Sequence, residues 1–290
     1  LGGVIALFLM LTLFVEQADG KTLIGIDPIL GLDAALREGT RAAGPLTAIW
    51  FSIFIIPYFR WVRDDAITGA RGRFGDAIRS VGRASANLRH RASLTGYLIS
   101  SMLYRDALNG LYAFGGIYAR LVLGWEITLI GVFGVISAVA AALFSWVGGF
   151  ADKRLGPKPV IVGSILVLTL VCIIVVNMSR ETLFGVPLAP GSSLPDAIFF
   201  GCGMLIGGFG GILQAASRSL MVRHTNPAKA TESFGLYGLS GRATAFLAPL
   251  LIGVATTLTG SARLGITPVV FLFILGLILL HRVEARGDQF

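Results

Sequence analysis

The chain has 290 residues, of which 54% are hydrophobic and 14% charged, with a mean hydropathy of +0.78 and a formal net charge of +8. A soluble domain carries about 25% charged residues, so this much apolar side chain has no place in water, and 19 Phe among long Val/Ile/Leu runs exclude disorder. The two cysteines, Cys172 and Cys202, sit in apolar runs and exclude a disulfide scaffold; continuous rather than alternating runs argue against a barrel.

What remains is an integral membrane protein of helices. A span takes about 20 apolar residues, and eight runs are candidates: 1–15, 42–59, 93–119, 127–150, 159–178, 197–216, 233–259 and 264–280. The first is short and begins in mid-run without Met. It has neither the basic start nor the cleavage site of a signal peptide. It reads as a helix cut on its N-terminal side, and the chain as a fragment of a longer protein.

Lys and Arg set the sidedness. Sixteen fall in the segment 60–91, the turns around Lys153 and Arg223, and the tail; six fall in the alternate loops. The bias alternates across all eight spans, which puts both ends of the chain in the cytoplasm. The basic character follows from this sidedness and an anionic inner leaflet, and no nucleic-acid partner is expected.

Between the second and third spans, residues 60–91 carry eight Arg against three Asp. Phe74, Ile78, Val81 and Leu88 recur at a helical period. An amphipathic helix on the membrane surface and a solvated linker are both open, because Gly75 and Gly82 weaken the helix. The segment separates two spans from six. Many transporters consist of two six-helix halves joined by a long cytoplasmic connection. On that plan residues 1–59 are the last two helices of a first half, 60–92 a basic linker and 93–290 a complete second half, with four helices expected ahead of Leu1.

The stretch from Gly148 and Gly149 through Asp152, Lys153, Arg154 and Gly156 to Lys158 reads as a short loop after the fourth span. There glycine permits a tight turn, and Asp152 is placed to cap a neighbouring helix N-terminus. An ordinary basic turn is the alternative. This stretch resembles the signature of the major facilitator superfamily, although Gly156 follows Asp152 by four residues where the common spacing is three. Tyr104, Asp106 and Asn109 lead into Phe114–Ala119, and Gln214–Leu220, Glu232–Tyr237 and Ser240–Phe246 follow later in the chain. Together they resemble the vacuole-effluxer-like branch of that superfamily, over about two-thirds of the chain. The resemblance implies an all-α integral membrane bundle of the major facilitator type, with eight transmembrane helices present out of twelve. It also implies a secondary transporter working by alternating access. Fungal relatives are associated with amino-acid export from the vacuole, which makes an amino acid the leading guess for a small polar substrate.

Three charges lie deep in spans: Arg105, Asp106 and Arg242. Such charges are costly in a bilayer and usually functional. Arg105 and Asp106 are neighbours, and adjacent helical residues point about 100° apart, so each needs its own partner. Asn109 and Tyr112 follow at helical spacing, and Gln214 joins from another helix. Arg105, Asp106, Asn109, Tyr112 and Gln214 are the candidate substrate and coupling residues; a purely structural hydrogen-bond network is the alternative. Asp152, Lys153 and Arg242 are the candidate gating residues, with snorkelling the alternative for Arg242.

In the sixth span Gly203, Gly207 and Gly211 recur every four residues, the spacing of close helix packing. No Cys/His cluster suits a metal and no phosphate-cradling Gly-Lys-Ser/Thr loop occurs, so no cofactor and no enzymatic activity are expected. The expected partners are a small-molecule substrate, a coupling proton and the lipid bilayer. The molecule is expected to be a monomer in a bacterial inner (plasma) membrane. A non-transporting membrane scaffold or receptor on the same fold is the alternative function.

Overall fold

The computed structural model describes residues 2–17, 19–62, 91–226 and 230–287, with Gly82 and Leu88 between them. The expected surface helix falls almost wholly outside the described residues. The chain separates into two compact units, Leu1–Arg71 and Gly72–Phe290.

The first unit holds α1 (Gly2–Leu13), a 3₁₀ turn (Ile29–Gly31) and α2 (Glu38–Trp61). A helix start leaves backbone N–H groups without partners. Here Glu16 takes over that role. One carboxylate oxygen accepts the Thr40 N–H at 3.1 Å, and the other accepts the Thr40 hydroxyl at 2.7 Å. Gly39 makes this approach possible, since a Cβ there would run into the Phe14 carbonyl and the Glu16 carboxylate.

The second unit contains α3 (Ala92–Leu121), α4 (Ile127–Leu155), α5 (Pro157–Val176), α6 (Leu194–Arg223), α7 (Ala230–Ala243), α8 (Leu247–Thr259), α9 (Ala262–Gly265) and α10 (Thr267–His281). A two-residue antiparallel hairpin, Thr182–Leu183 with Val186–Pro187, links α5 to α6. Pro157, Pro195 and Pro268 each sit in the first turn of a helix, where the missing N–H removes nothing. α3 runs through the core: Tyr97, Tyr104 and Tyr118 along it are fully buried, with α6, α7, α8 and α10 packed around it.

Among the described residues, six segments are long and apolar enough to cross a bilayer: Glu38–Trp61, Leu129–Leu155, Pro157–Val176, Leu194–Arg223, Ala230–Thr259 and Ala262–His281. They correspond to six of the eight candidate runs. Of the other two, α1 counts 12 residues, fewer than a span needs. α3 has 30 residues, enough length, but Arg105, Asp106 and Arg120 dilute its apolar character.

The glycines of α6 do what their spacing implies. A Cβ at Gly207 would strike the Ser137 carbonyl of α4, one at Gly203 the Phe133 ring, and one at Gly211 the Ser145 hydroxyl. The α4 and α6 backbones therefore lie in near contact.

Two expectations about local structure are corrected. Residues 148–155 are not a loop: α4 runs on to Leu155, and the whole reversal is made by Gly156, with φ +85°, before Pro157 opens α5. Lys153 and Arg154 then lie in the last turn of α4, where cations suit the exposed carbonyls. Gly148 serves helix contact rather than turning, since its Cβ would lie 2.7 Å from the Ile212 side chain. Nor is 233–259 one continuous helix. It breaks at 244–246 into α7 and α8. Pro249 is the cause: it has no N–H to give the Ala245 carbonyl, and its ring crowds that carbonyl.

Candidate functional site

The break between α7 and α8 lies beside the middle of α3, where the two adjacent charges of the sequence take hold of it. Arg105 goes to α7. Its guanidinium donates to the Tyr237 carbonyl at 3.1 Å and lies 4.2 Å over the centre of the Tyr237 ring. Gly241, one turn on, leaves room for it, because a Cβ there would sit 2.5 Å from the guanidinium carbon. Asp106 goes to α8. One carboxylate oxygen accepts the Ala248 N–H at 3.0 Å.

The Asp106 contact suits the helix dipole, since the anion holds the N-terminus of the half that begins at the break; Arg105 meets the other half at Tyr237, in the middle of α7. In the first turn of α8, Leu247 N–H is already bonded to the Thr244 carbonyl and Pro249 has no N–H. Ala248 is thus the donor in need of a partner, and Asp106 supplies it. The carboxylate is 1% exposed, its second oxygen has no partner, and it makes no ion pair among the described residues. The Thr244 hydroxyl, at the break itself, is likewise buried and unpartnered.

The five candidate substrate and coupling residues therefore divide. Arg105 and Asp106 turn onto the broken helix. Asn109, Tyr112 and Gln214 are exposed on the second unit. The Tyr112 hydroxyl lies against Gly210 of α6, and Gln214, one turn further, is within side-chain hydrogen-bonding reach of it. Tyr112 borders a cavity of about 440 Å³ between α3, α4 and α6, with Phe133, Ser137, Ile206 and Gly207. A second cavity, about 390 Å³, lies between α3, α8 and α9; Gly110, Pro249, Ile252 and Thr256 line it, one turn from Asp106.

The three gating candidates do not meet. Asp152 is half-buried with one carboxylate oxygen unpartnered, Lys153 is exposed on the last turn of α4, and Arg242 is exposed on the last turn of α7, next to the break.

Several participants were not singled out from the sequence. Tyr237 is sandwiched: Arg105 covers one contact, and the Tyr97 ring stacks on it at 6.1 Å. Tyr97 stacks in turn on His224 at 5.5 Å. His224 bonds the Ser93 hydroxyl at 3.0 Å through Nε2, and Ser93 accepts the Glu284 N–H at 3.0 Å. Lys158 donates to the His281 and Val283 carbonyls at 3.0 and 2.6 Å, closing the C-terminus of α10. At the other end of the bundle Asp196 ties Trp125 and Arg180, each at 2.6 Å. Tyr237, Ser240 and Gly241 fall in stretches that carry the family resemblance.

Residues 24–288 match the model of the family described as vacuole effluxer Atg22 like. The chain is similar to the uncharacterized MFS-type transporter YxiO of Bacillus subtilis, 24% identical over 237 residues, covering 81% of this chain and 51% of the relative. It is also similar to autophagy-related protein 22-1 of Neosartorya fischeri and of Aspergillus fumigatus, each 23% identical, covering 84% of this chain and 42% of the relative. The chain thus spans about half the length of the curated relatives it matches.

Proposed function

Because this chain belongs to the vacuole effluxer Atg22-like family of the major facilitator superfamily, a family of membrane transporters and not of enzymes, we propose that the whole protein is a secondary active transporter. It moves a small polar solute, an amino acid first among candidates, by alternating access. The observation that carries this reading is the pair Arg105 and Asp106 at the middle of α3, gripping the two halves of a broken helix. Membrane transporters place substrate and ion sites at such discontinuities, and a bundle built only to anchor something has no need of them.

In this reading Asn109, Tyr112 and Gln214 form the substrate-facing surface of the second half, with Asp106 as the coupling carboxylate behind it and Arg105 holding α7 in place. Asp152, Lys153 and Arg242 belong to the gate, each meeting its partner in the other half. The intact molecule has twelve helices, of which this chain supplies eight, with residues 60–92 as the linker between halves. It works as a monomer in a bacterial plasma membrane, both chain ends on the basic, cytoplasmic side.

The test is flux. The full-length protein is reconstituted in liposomes and given a panel of radiolabelled amino acids under imposed pH gradients. Uptake or efflux of a member, lost in Gln214→Ala and Tyr112→Ala at matched incorporation, supports the reading. A reconstituted protein that moves no member of the panel under any gradient returns the scaffold or receptor reading.

A further inference from the structure

We propose that the unpartnered oxygen of Asp106 is a proton-binding site, and that a proton bound there loosens α8 from α3 so that the break at 244–246 works as a proton-operated hinge. This deepens the transport reading and rests on it only for its purpose; the structural event is measurable without a substrate.

The argument starts from what the carboxylate has and lacks. It is 1% exposed, accepts one backbone N–H at 3.0 Å, and leaves its other oxygen buried with no donor. A buried carboxylate is ordinarily satisfied at several lone-pair sites, because each missing bond in a low-dielectric interior is expensive. Here the free oxygen is the open position, and a proton fits it with no other rearrangement.

The surroundings do not neutralise the charge in another way. Of the elements packed on α3, α8 has no ionisable side chain along its length, and α10 has only His281 at its last residue. α7 presents Tyr237, whose ring carries Arg105 rather than leaving it for Asp106. α7 also carries Glu232 in its first turn and Arg242, exposed, in its last. α6 meets α3 through Ser217, which takes the Tyr104 hydroxyl at 2.8 Å, and its own ionisable groups are Asp196 in its first turn, paired with Arg180, the buried Cys202, and Arg218 and Arg223 toward its end. α9 brings Arg263 and α4 brings Asp152, Lys153 and Arg154, all in their last turns.

The consequence for α8 follows from what holds its start. The Asp106 charge and the α8 N-terminus attract each other, and a hydrogen bond to a charged acceptor is about twice as strong as one to a neutral acceptor. Adding a proton to the free oxygen removes the charge while leaving the carboxyl in place. Pro249 has already deleted the helix bond that would otherwise bridge the break. With the anion gone, α8 is held to α3 by a weaker bond from the Ala248 N–H to a neutral carboxyl and by apolar contacts, chiefly Ala248 on Gly110, and those allow sliding.

The experiment uses the full-length protein in maltoside micelles, whose detergent has no ester carbonyl. Infrared difference spectra are recorded as the pH is stepped down, together with hydrogen exchange of the peptide covering 244–252, corrected for intrinsic rates. Expected is a protonated-carboxyl band that grows as pH falls and is absent in Asp106→Asn. Exchange at Ala248 should accelerate about tenfold in the same pH range, as its hydrogen bond passes from a charged to a neutral acceptor. Asp106→Asn at neutral pH should already show the fast pattern. If no band depends on Asp106 over the whole range in which the protein stays folded, the proton site is refuted. A band that appears while exchange at 244–252 keeps its neutral-pH rate refutes the hinge. Should Asp106→Asn fail to accumulate, wild-type exchange alone decides: a ratio of 244–252 to the rest of α8 that stays constant with pH overturns the proposal.

Discussion

At the start of α2, Glu16 reaches across from the preceding segment and takes both the N–H and the hydroxyl of Thr40, using both of its oxygens where water also reaches. At the start of α8, Asp106 reaches across from α3 and takes the Ala248 N–H with one oxygen, in a site closed to water. Each approach depends on a glycine, Gly39 in one unit and Gly110 in the other; a Cβ on Gly110 would lie 2.7 Å from that of Ala248. The task is the same and the medium differs. An exposed cap competes with solvent and is replaceable by it. A buried cap has no substitute, and an oxygen left over in it is a reactive position rather than a hydrated one. The first cap fixes the start of a whole helix; the second fixes the start of α8 beside a break where Pro249 removes one backbone bond.

The largest effect that sharpens this contrast is expected from Asp106→Ala. It leaves the Ala248 N–H buried without an acceptor, which costs about 3 kcal/mol, read as a loss of unfolding free energy in denaturant titrations of the full-length protein in detergent. Gly110→Ala comes next, at about 2 kcal/mol, because the methyl has to push two helix backbones apart; the same titration measures it, with faster exchange at 244–252 as its local signature. Glu16→Ala should cost about 1 kcal/mol, as an exposed cap does, with the change in exchange confined to the start of α2. A loss for Glu16→Ala as large as that for Asp106→Ala would break the comparison. Smallest of all is Tyr237→Phe, within about 0.5 kcal/mol. Arg105 uses the ring face and the backbone carbonyl, and both survive; Tyr237→Leu, which removes the ring, should exceed it in thermal shift.

The sequence made part of this readable. Adjacent Arg105 and Asp106 had to have separate partners because of the turn per residue in a helix, and they do. The glycine period of α6 implied backbone contact with a neighbour, and α4 supplies it. The carboxylate's partner was not readable, since Ala248 is an apolar residue 142 positions away and its contribution is a backbone N–H. The break was hidden for a related reason: hydropathy runs on unchanged through 244–246, and Pro249, the residue that causes it, stands three positions downstream. The stretch 148–158 was misread because two glycines and a cluster of charges look like a loop, while the helix continues through them and a single positive-φ glycine makes the turn. Asn109 and Tyr112 were legible as polar residues at helical spacing, and Gln214 as a polar residue of another span, but their separation from Arg105 and Asp106 depended on packing that spacing alone does not set.

The central claim is that α8 must part from α3 near Asp106 for the proposed transport to occur. Gly110 and Ala248 offer a direct lock, because the position of a Gly110 Cβ lies 2.7 Å from the Ala248 Cβ and a disulfide spans about 3.5–4.5 Å between Cβ atoms, a difference of about 1 Å. Gly110→Cys with Ala248→Cys is made in the full-length protein, the native Cys172 and Cys202 being buried. The variant is reconstituted, oxidised, and assayed for flux of whichever labelled solute the wild type is found to carry. The account expects ready cross-linking, abolished flux, and recovery on reduction. A fully cross-linked protein that transports as well as its reduced form would contradict it.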